Sequence, residues 1–337
     1  MMLRRFVPLA LALSTMAASP APPPGYHVVA THALGGDESW DYLAFDTSGH
    51  RLFIARQNRV MVVNPDTGAL VGEVPGLMAA HGVAFSYANG RGFATSGRDA
   101  TVVMFDLKTL QVLARIPAAD DADAILFEPV TKRIFTMNGD SKSSTVIDPA
   151  SGKSVGTIDL GGKPEFGVAA GDGKVYGNIS DRGEVVEIDA AAMKVERRWS
   201  VAPCASSTGL SIDAAHHRLF SVCRNKYLAV SDISSGTLVT TLPIGAGVDA
   251  SAFDPATALV FASNGDGTLT VVHEDSPDAY TIAETVKTGP GAKTMALDPA
   301  THRVYLGTAS FGAPPATGRG RPPMLPGSFK LLVLERR

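Results

Sequence analysis

The sequence predicts an all-β fold: a seven-bladed β-propeller of four-stranded antiparallel blades, its ring closed by the N-terminal strand completing the last blade. Three observations predict it. A pattern of apolar strand, acidic or small turn, then basic and apolar residues recurs seven times along the 337 residues. Its step is about 40 to 44 residues, the period of a four-stranded repeat. Long helical periodicity is absent, while β-branched runs bounded by Asp, Pro, Ser and Gly abound.

In chain order the first and second strands of the repeats are LAFDTSGHRLFIA (43–55), VAFSYANGRGFAT (83–95), ILFEPVTKRIFTM (125–137), VAAGDGKVYGN (168–178), LSIDAAHHRLFSV (210–222), SAFDPATALVFAS (251–263) and MALDPATHRVYLG (295–307). Each is followed by a third strand and turn, as in VMVVNPDTG, TVVMFDLKT or LAVSDISSG, and most by a fourth strand. The seventh repeat has three strands before the chain stops at FKLLVLE. The segment 26–34, YHVVATHAL, resembles the fourth-strand segments KSVGTIDL and TLVTTLPI, and pairing it beside 329–335 removes an exposed edge.

Residues 1–19 read as a signal peptide, with Arg4 and Arg5 before an apolar run of thirteen, Phe6 to Ala18, and small residues after it. A run this short does not span a bilayer as a helix, which takes about 20 residues. A buried N-terminal strand or helix is the competing reading. Residues 20–25 are a Pro-rich linker, and 26–337 are one propeller whose repeats begin near 41, 81, 123, 166, 208, 249 and 293. The mature chain is therefore expected in the periplasm or secreted, as a monomer without a transmembrane segment.

Composition narrows the function classes. An apolar fraction of 45% excludes a disordered chain. A formal charge of −3 offers no general affinity for nucleic acid or anionic membrane. Two Cys cannot build a disulfide scaffold.

The repeats resemble YVTN-type β-propellers of the YncE-like group of exported bacterial proteins. WDYLAFD (40–46), SNGDGT (263–268) and RPPMLPGSF (321–329) carry the likeness, which extends over 26–337. It implies a propeller strongly and a function weakly, because one architecture hosts many activities.

In a propeller of this wiring the first strands line the central channel. Counting back five residues from each turn gives a ring of Asp41, His81, Asp123, Phe166, Thr208, Asp249 and Lys293, with Trp40 and Glu165 just before it. So many charges at one channel mouth are costly unless wet, paired or bound. His81, flanked by Asp41 and Asp123, is the candidate for acid–base work, as a general base. The second-strand ends supply an outer ring: Arg56 and Asn58, Arg98 and Asp99, Asn138 and Asp140, Asn178 and Asp181, Arg224 and Asn225, Asn264 and Asp266. Ordinary hairpin-turn chemistry competes for Asn138 and Asn264. It explains Arg56, Arg98 and Arg224 less well, since Arg is not a turn residue.

Cys204 and Cys223 fall on the same face of repeat five and are expected to form a disulfide; a reactive thiol is the alternative. The Pro/Gly-rich loop 311–326 lies on the site face as a flap, carrying Arg319 and Arg321. No metal signature is present, though acidic and Asn groups suit Ca2+ or another hard divalent ion.

These features favour binding of a small polar or anionic ligand, or an envelope protein, at the charged mouth. The alternative is a lyase or lactone hydrolase with His81 as base and Arg224 or Lys293 stabilising developing charge. Nucleic-acid binding comes third, because the acidic ring repels phosphate.

Overall fold

A computed structural model describes residues 25–315 and 322–337. The segment expected to be a signal peptide, most of the expected linker, and Arg319 and Arg321 lie outside the described residues. No described helix is long and apolar enough to cross a membrane.

Each repeat becomes an antiparallel meander. The third strands, such as Thr101–Asp106, are buried on both faces because they run through the middle of their sheet; Val102, Val103 and Phe105 are fully enclosed. Outer strands such as Val112–Pro117 expose most of their side chains, and their apolar content falls accordingly. At the turn after the first strand of five repeats an acid (Asp46, Glu128, Asp213, Asp254 or Asp298) folds back on the backbone, as when the Asp46 carboxylate accepts the amides of Ser48 at 3.1 Å and Gly49 at 3.0 Å.

The expected seven four-stranded blades are corrected by the pairing. The strands form six sheets, five of four strands and one of six. Repeats one and two share the six-stranded sheet. The 17-residue strand Leu70–Ser86 pairs with Arg51–Val63 through its first half and with Arg91–Ser96 through its second. Arg51–Val63 likewise runs on past the turn at Gln57. At Gln57 and Ala79 a single left-handed residue redirects the chain without ending the strand, so the sequence repeats outnumber the sheets.

The N-terminal strand His27–Ala33 lies outermost in the last sheet, antiparallel to Lys330–Glu335, with His27 opposite Glu335 and Ala33 opposite Lys330. Tyr26 fastens this junction. Its hydroxyl donates to the His302 carbonyl at 2.8 Å, and its ring meets Phe261 edge-on at 5.2 Å.

Small residues let the first strands approach one another around the axis. A side chain at Gly209 would meet the backbone of Ala250 and Ser251 at 2.6 to 2.7 Å. The apolar core then lies between neighbouring sheets, for example where Phe261 and Val271 pack against Leu306 and Leu334.

Candidate functional site

A recurring backbone device aims the ring residues. Two positions before His81, Asp123, Thr208, Asp249 and Lys293 stand Ala79, Asp121, Ser206, Gly247 and Gly291, all with φ between 53° and 76° in the left-handed region. That bend turns the incoming chain so that the next residues enter the channel mouth. Glycine meets it freely at Gly247 and Gly291, whereas Ala79 and Ser206 hold it against a cost of about 1 kcal/mol each.

Buried hydrogen bonds then hold the ring in place. The fifth residue of the second strand grips the next repeat's ring backbone in three repeats. Thr95 Oγ1 donates to the Asp123 carbonyl at 2.6 Å, and Ser263 Oγ donates to the Lys293 carbonyl at 2.6 Å. Asn178 Nδ2 donates to the Thr208 and Gly209 carbonyls at 3.0 Å each.

Repeats one to three bring Asp41, His81 and Asp123 together. His81 Nδ1 lies 2.6 Å from Asp41 Oδ2 and 3.6 Å from Asp123 Oδ1. Gly97 makes room for the imidazole, since a side chain there would sit 2.9 Å from His81 Nε2. Burial alone lowers the His81 pKa. The hydrogen bond to Asp41 and the charges of Asp123, Asp41 and Asp121 outweigh it and hold the imidazole up to about 9. Burial, followed by the charge of Asp41, pushes the Asp123 carboxyl well above the usual range.

The other side of the mouth is a charge-matched chain. Lys293 pairs with Asp249, and Arg224 bridges Glu165 at 3.2 Å and Asp249 at 3.9 Å. Burial raises the Glu165 carboxyl, opposed by Arg224 and reinforced by Asp249. Arg224 keeps about half of its side chain in solvent, at 53% exposed. Its loop is anchored by the Cys204–Cys223 disulfide and by Asn225, which accepts from the Ala205 amide and donates to the Pro203 carbonyl.

Tyr42 lies between these groups, and the sequence reading missed it. The equivalent positions in the other repeats hold Gly82, Ala124, Gly167, Gly209, Ala250 and Thr294, so one bulky residue stands out where six are small. Its ring meets Phe166 edge-on at 5.0 Å. Burial, then the charges of Asp123, Asp249, Asp41 and Glu165, push its hydroxyl well above the usual phenol range.

Several expected ligand residues have their polar groups committed to the scaffold. Arg56 is fully buried. It donates to the carbonyls of Gly35 and Glu38 and stacks 4.0 Å from the centre of the Phe329 ring. Asn138 donates to Ser143 and Thr145, and Asn264 to Thr268 and Thr270 at the equivalent place. Asn178 also accepts from the Ser221 hydroxyl, and Thr208 donates to the Val222 and Val248 carbonyls. Of the outer acids, Asp140 pairs with Lys163, Asp99 with Arg115, Asp181 accepts the Lys163 amide and Asp266 the Ala246 amide.

Two cavities open beside the ring and share Ser39 and Trp40. One, of about 340 Å³, is lined by Trp40, Asp41, Asn58, Met78, His81 and Arg98. Arg98 is exposed there, with no ion pair among the described residues. The other, of about 630 Å³, is mainly apolar and lies under the loop after the last-but-one strand, where Phe311, Pro322 and Met324 join Trp40 and Lys293. An antiparallel bridge between Phe311 and Met324 pairs the two described ends of that loop. The described residues thus combine fixed charges, a polarised imidazole and an aromatic wall.

No family model matches the chain, and no curated protein does. Among solved structures, hydrazine synthase of Kuenenia stuttgartiensis superposes with a TM-score of 0.69 at 16% identity, over 81% of this chain and 92% of that one. At that identity the likeness speaks for architecture alone. Together with the sheet pairing, it shows that the chain folds as a β-propeller.

Proposed function

We propose that this propeller is an exported, YVTN-repeat protein of the YncE-like kind that binds a small polar or anionic molecule at its channel mouth. One observation carries the reading. His81 and Asp41 line one cavity, Lys293 at the end of the Lys293–Asp249–Arg224–Glu165 chain lines the other, and the two cavities share Trp40. Fixed charges beside an apolar wall suit a ligand with a charged head and a less polar body. Trp40, Asp41, His81, Arg98, Asp123, Glu165, Phe166, Arg224, Asp249 and Lys293 are the residues of this reading. Arg56, Asn138, Asn178, Asn225 and Asn264 serve the scaffold instead. A disulfide is consistent with an oxidising compartment.

The lyase or hydrolase alternative needs His81 as a free base. An imidazole held up to about 9 is protonated at neutral pH, so it favours holding an anion over removing a proton. Asp41, His81 and Asp123 also have the spacing of a metal-ligand set, which keeps a divalent ion among the ligands to be screened. The carboxylates around the mouth disfavour nucleic acid.

The test is native mass spectrometry of protein recovered from a periplasmic fraction, with sequencing of its N-terminus. A co-purifying small acid that is lost from Arg224→Ala and Lys293→Met supports the reading. Retention of that molecule in both variants and in His81→Gln overturns it.

A further inference from the structure

The repeats supply their own controls for a second site, at the opposite ends of the strands. The acid closing the turn after the first strand is buried in repeat after repeat. In three of them a Thr three residues on donates its hydroxyl to that acid: Thr131 to Glu128 at 2.6 Å, Thr257 to Asp254 at 2.7 Å and Thr301 to Asp298 at 2.7 Å. Repeat five places His216 there instead, opposite Asp213. A second departure comes from repeat six. The residue after the third strand's closing polar position is Pro65, Leu107, Pro149, Ala190 and Ile233 in the first five repeats, all buried between sheets. Repeat six puts Glu274 there, and it remains 5% exposed.

The two departures meet. His216 Nδ1 lies 2.6 Å from Asp213 Oδ2 and 3.1 Å from Glu274 Oε1. One N–H thus faces two buried carboxylates. Asp213 Oδ2 and Glu274 Oε2 are both shut from solvent, and apart from the His216 contact to Asp213 neither meets a donor; the two side chains are each only 3% exposed. Arg218, the cation of this turn, is engaged with Asp232 at 2.6 Å and Asp278 at 2.9 Å. Two anions so enclosed need a compensating positive charge. The three ligand atoms form one cluster, and the gaps of 2.6 and 3.1 Å from the imidazole nitrogen to the two carboxylate oxygens are close to the spacing of neighbouring ligands around an ion with bonds of about 2.0 to 2.2 Å. His216, at 54% exposed, leaves one side open to solvent for entry and for water ligands.

We propose that Asp213, His216 and Glu274 bind a divalent transition-metal ion of the Zn2+ class, clipping repeat five to repeat six. An imidazole nitrogen with two carboxylate oxygens favours such an ion over Ca2+, which prefers oxygen alone. The site stands apart from the mouth and does not depend on the function proposed for it.

The test is calorimetric titration of EDTA-stripped, dialysed protein with ZnCl2, alongside thermal melting. His216→Thr and Glu274→Ile install what other repeats carry at these places, and His81→Gln marks any ion at the mouth. The expected result is one Zn2+ equivalent that raises the melting temperature. It is weakened about 100-fold or more in both His216→Thr and Glu274→Ile and kept in His81→Gln. Absence of that equivalent, its survival in either repeat-five or repeat-six variant, or its loss in His81→Gln alone overturns the proposal. Should the variants fail to fold, X-ray absorption of the Zn2+-loaded wild type decides: a mixed nitrogen and oxygen shell with one imidazole is expected, and a shell without imidazole overturns it.

Discussion

The Tyr42 ring touches Phe166 edge-on at 5.0 Å, so a residue of the first repeat meets one of the fourth across the channel mouth. Tyr42→Ala is expected to cost about 3 to 5 kcal/mol, the range for deleting a buried aromatic. Tyr42→Phe keeps the packing and is expected within about 1 kcal/mol of wild type. Chemical denaturation checks both. In an alkaline absorbance titration, wild type and Tyr42→Phe should form equal tyrosinate until unfolding begins.

His81 gives the stability a pH dependence of defined sign. Its folded value of about 9 lies above the ordinary 6.5, so folding takes up a proton between them. The stabilisation is complete below about pH 6.5 and disappears as pH rises through about 9. Denaturation midpoints should therefore fall more steeply between pH 7 and 10 in wild type than in His81→Gln. Equal slopes would place the pairing with Asp41 in doubt.

Asp249 is 6% exposed and depends on Lys293. Lys293→Met leaves that carboxylate with Arg224 at 3.9 Å as its remaining cation and is expected to cost up to about 3 kcal/mol. Adding Asp249→Asn should restore much of the loss. A double-mutant cycle by urea unfolding measures the coupling.

Asn178 and Arg224 were both expected in the outer ring, yet they should separate by experiment. Asn178→Ala strands the Thr208 and Gly209 carbonyls and the Ser221 hydroxyl in the interior, at a cost of about 1 to 3 kcal/mol. Arg224→Ala removes an exposed group and should stay within about 0.5 kcal/mol in stability while changing ligand retention. Thermal melts beside the mass-spectrometric assay read the two effects.

The sequence made the propeller and the inner ring legible because both follow from position within a repeat. Asp41, His81, Asp123, Asp249 and Lys293 were reached by counting back from a turn, and a turn fixes where a strand begins. The number of sheets was not legible. It depends on whether Gln57 and Ala79 end a strand or merely bend it, and that is decided by neighbouring hydrogen bonds rather than by residue type. The outer ring was half legible. Arg224 and Asn178 sit near equivalent second-strand ends, but one side chain points to solvent and the other finds carbonyls of the next repeat. Tyr42 was legible in principle, as the one large residue in a column of small ones, but it carries no charge to mark it beside the ring residues.

The antiparallel junction of His27–Ala33 with Lys330–Glu335 also sets an order in time. Among the described strands, the earliest made pairs with the latest made. During synthesis the early strand must wait, unpaired, while every intervening repeat forms, and the nascent ring stays an open arc until residue 335 is free. Its waiting edge is the place where a holding chaperone or a neighbouring chain would interfere, so maturation is governed by one late zippering event.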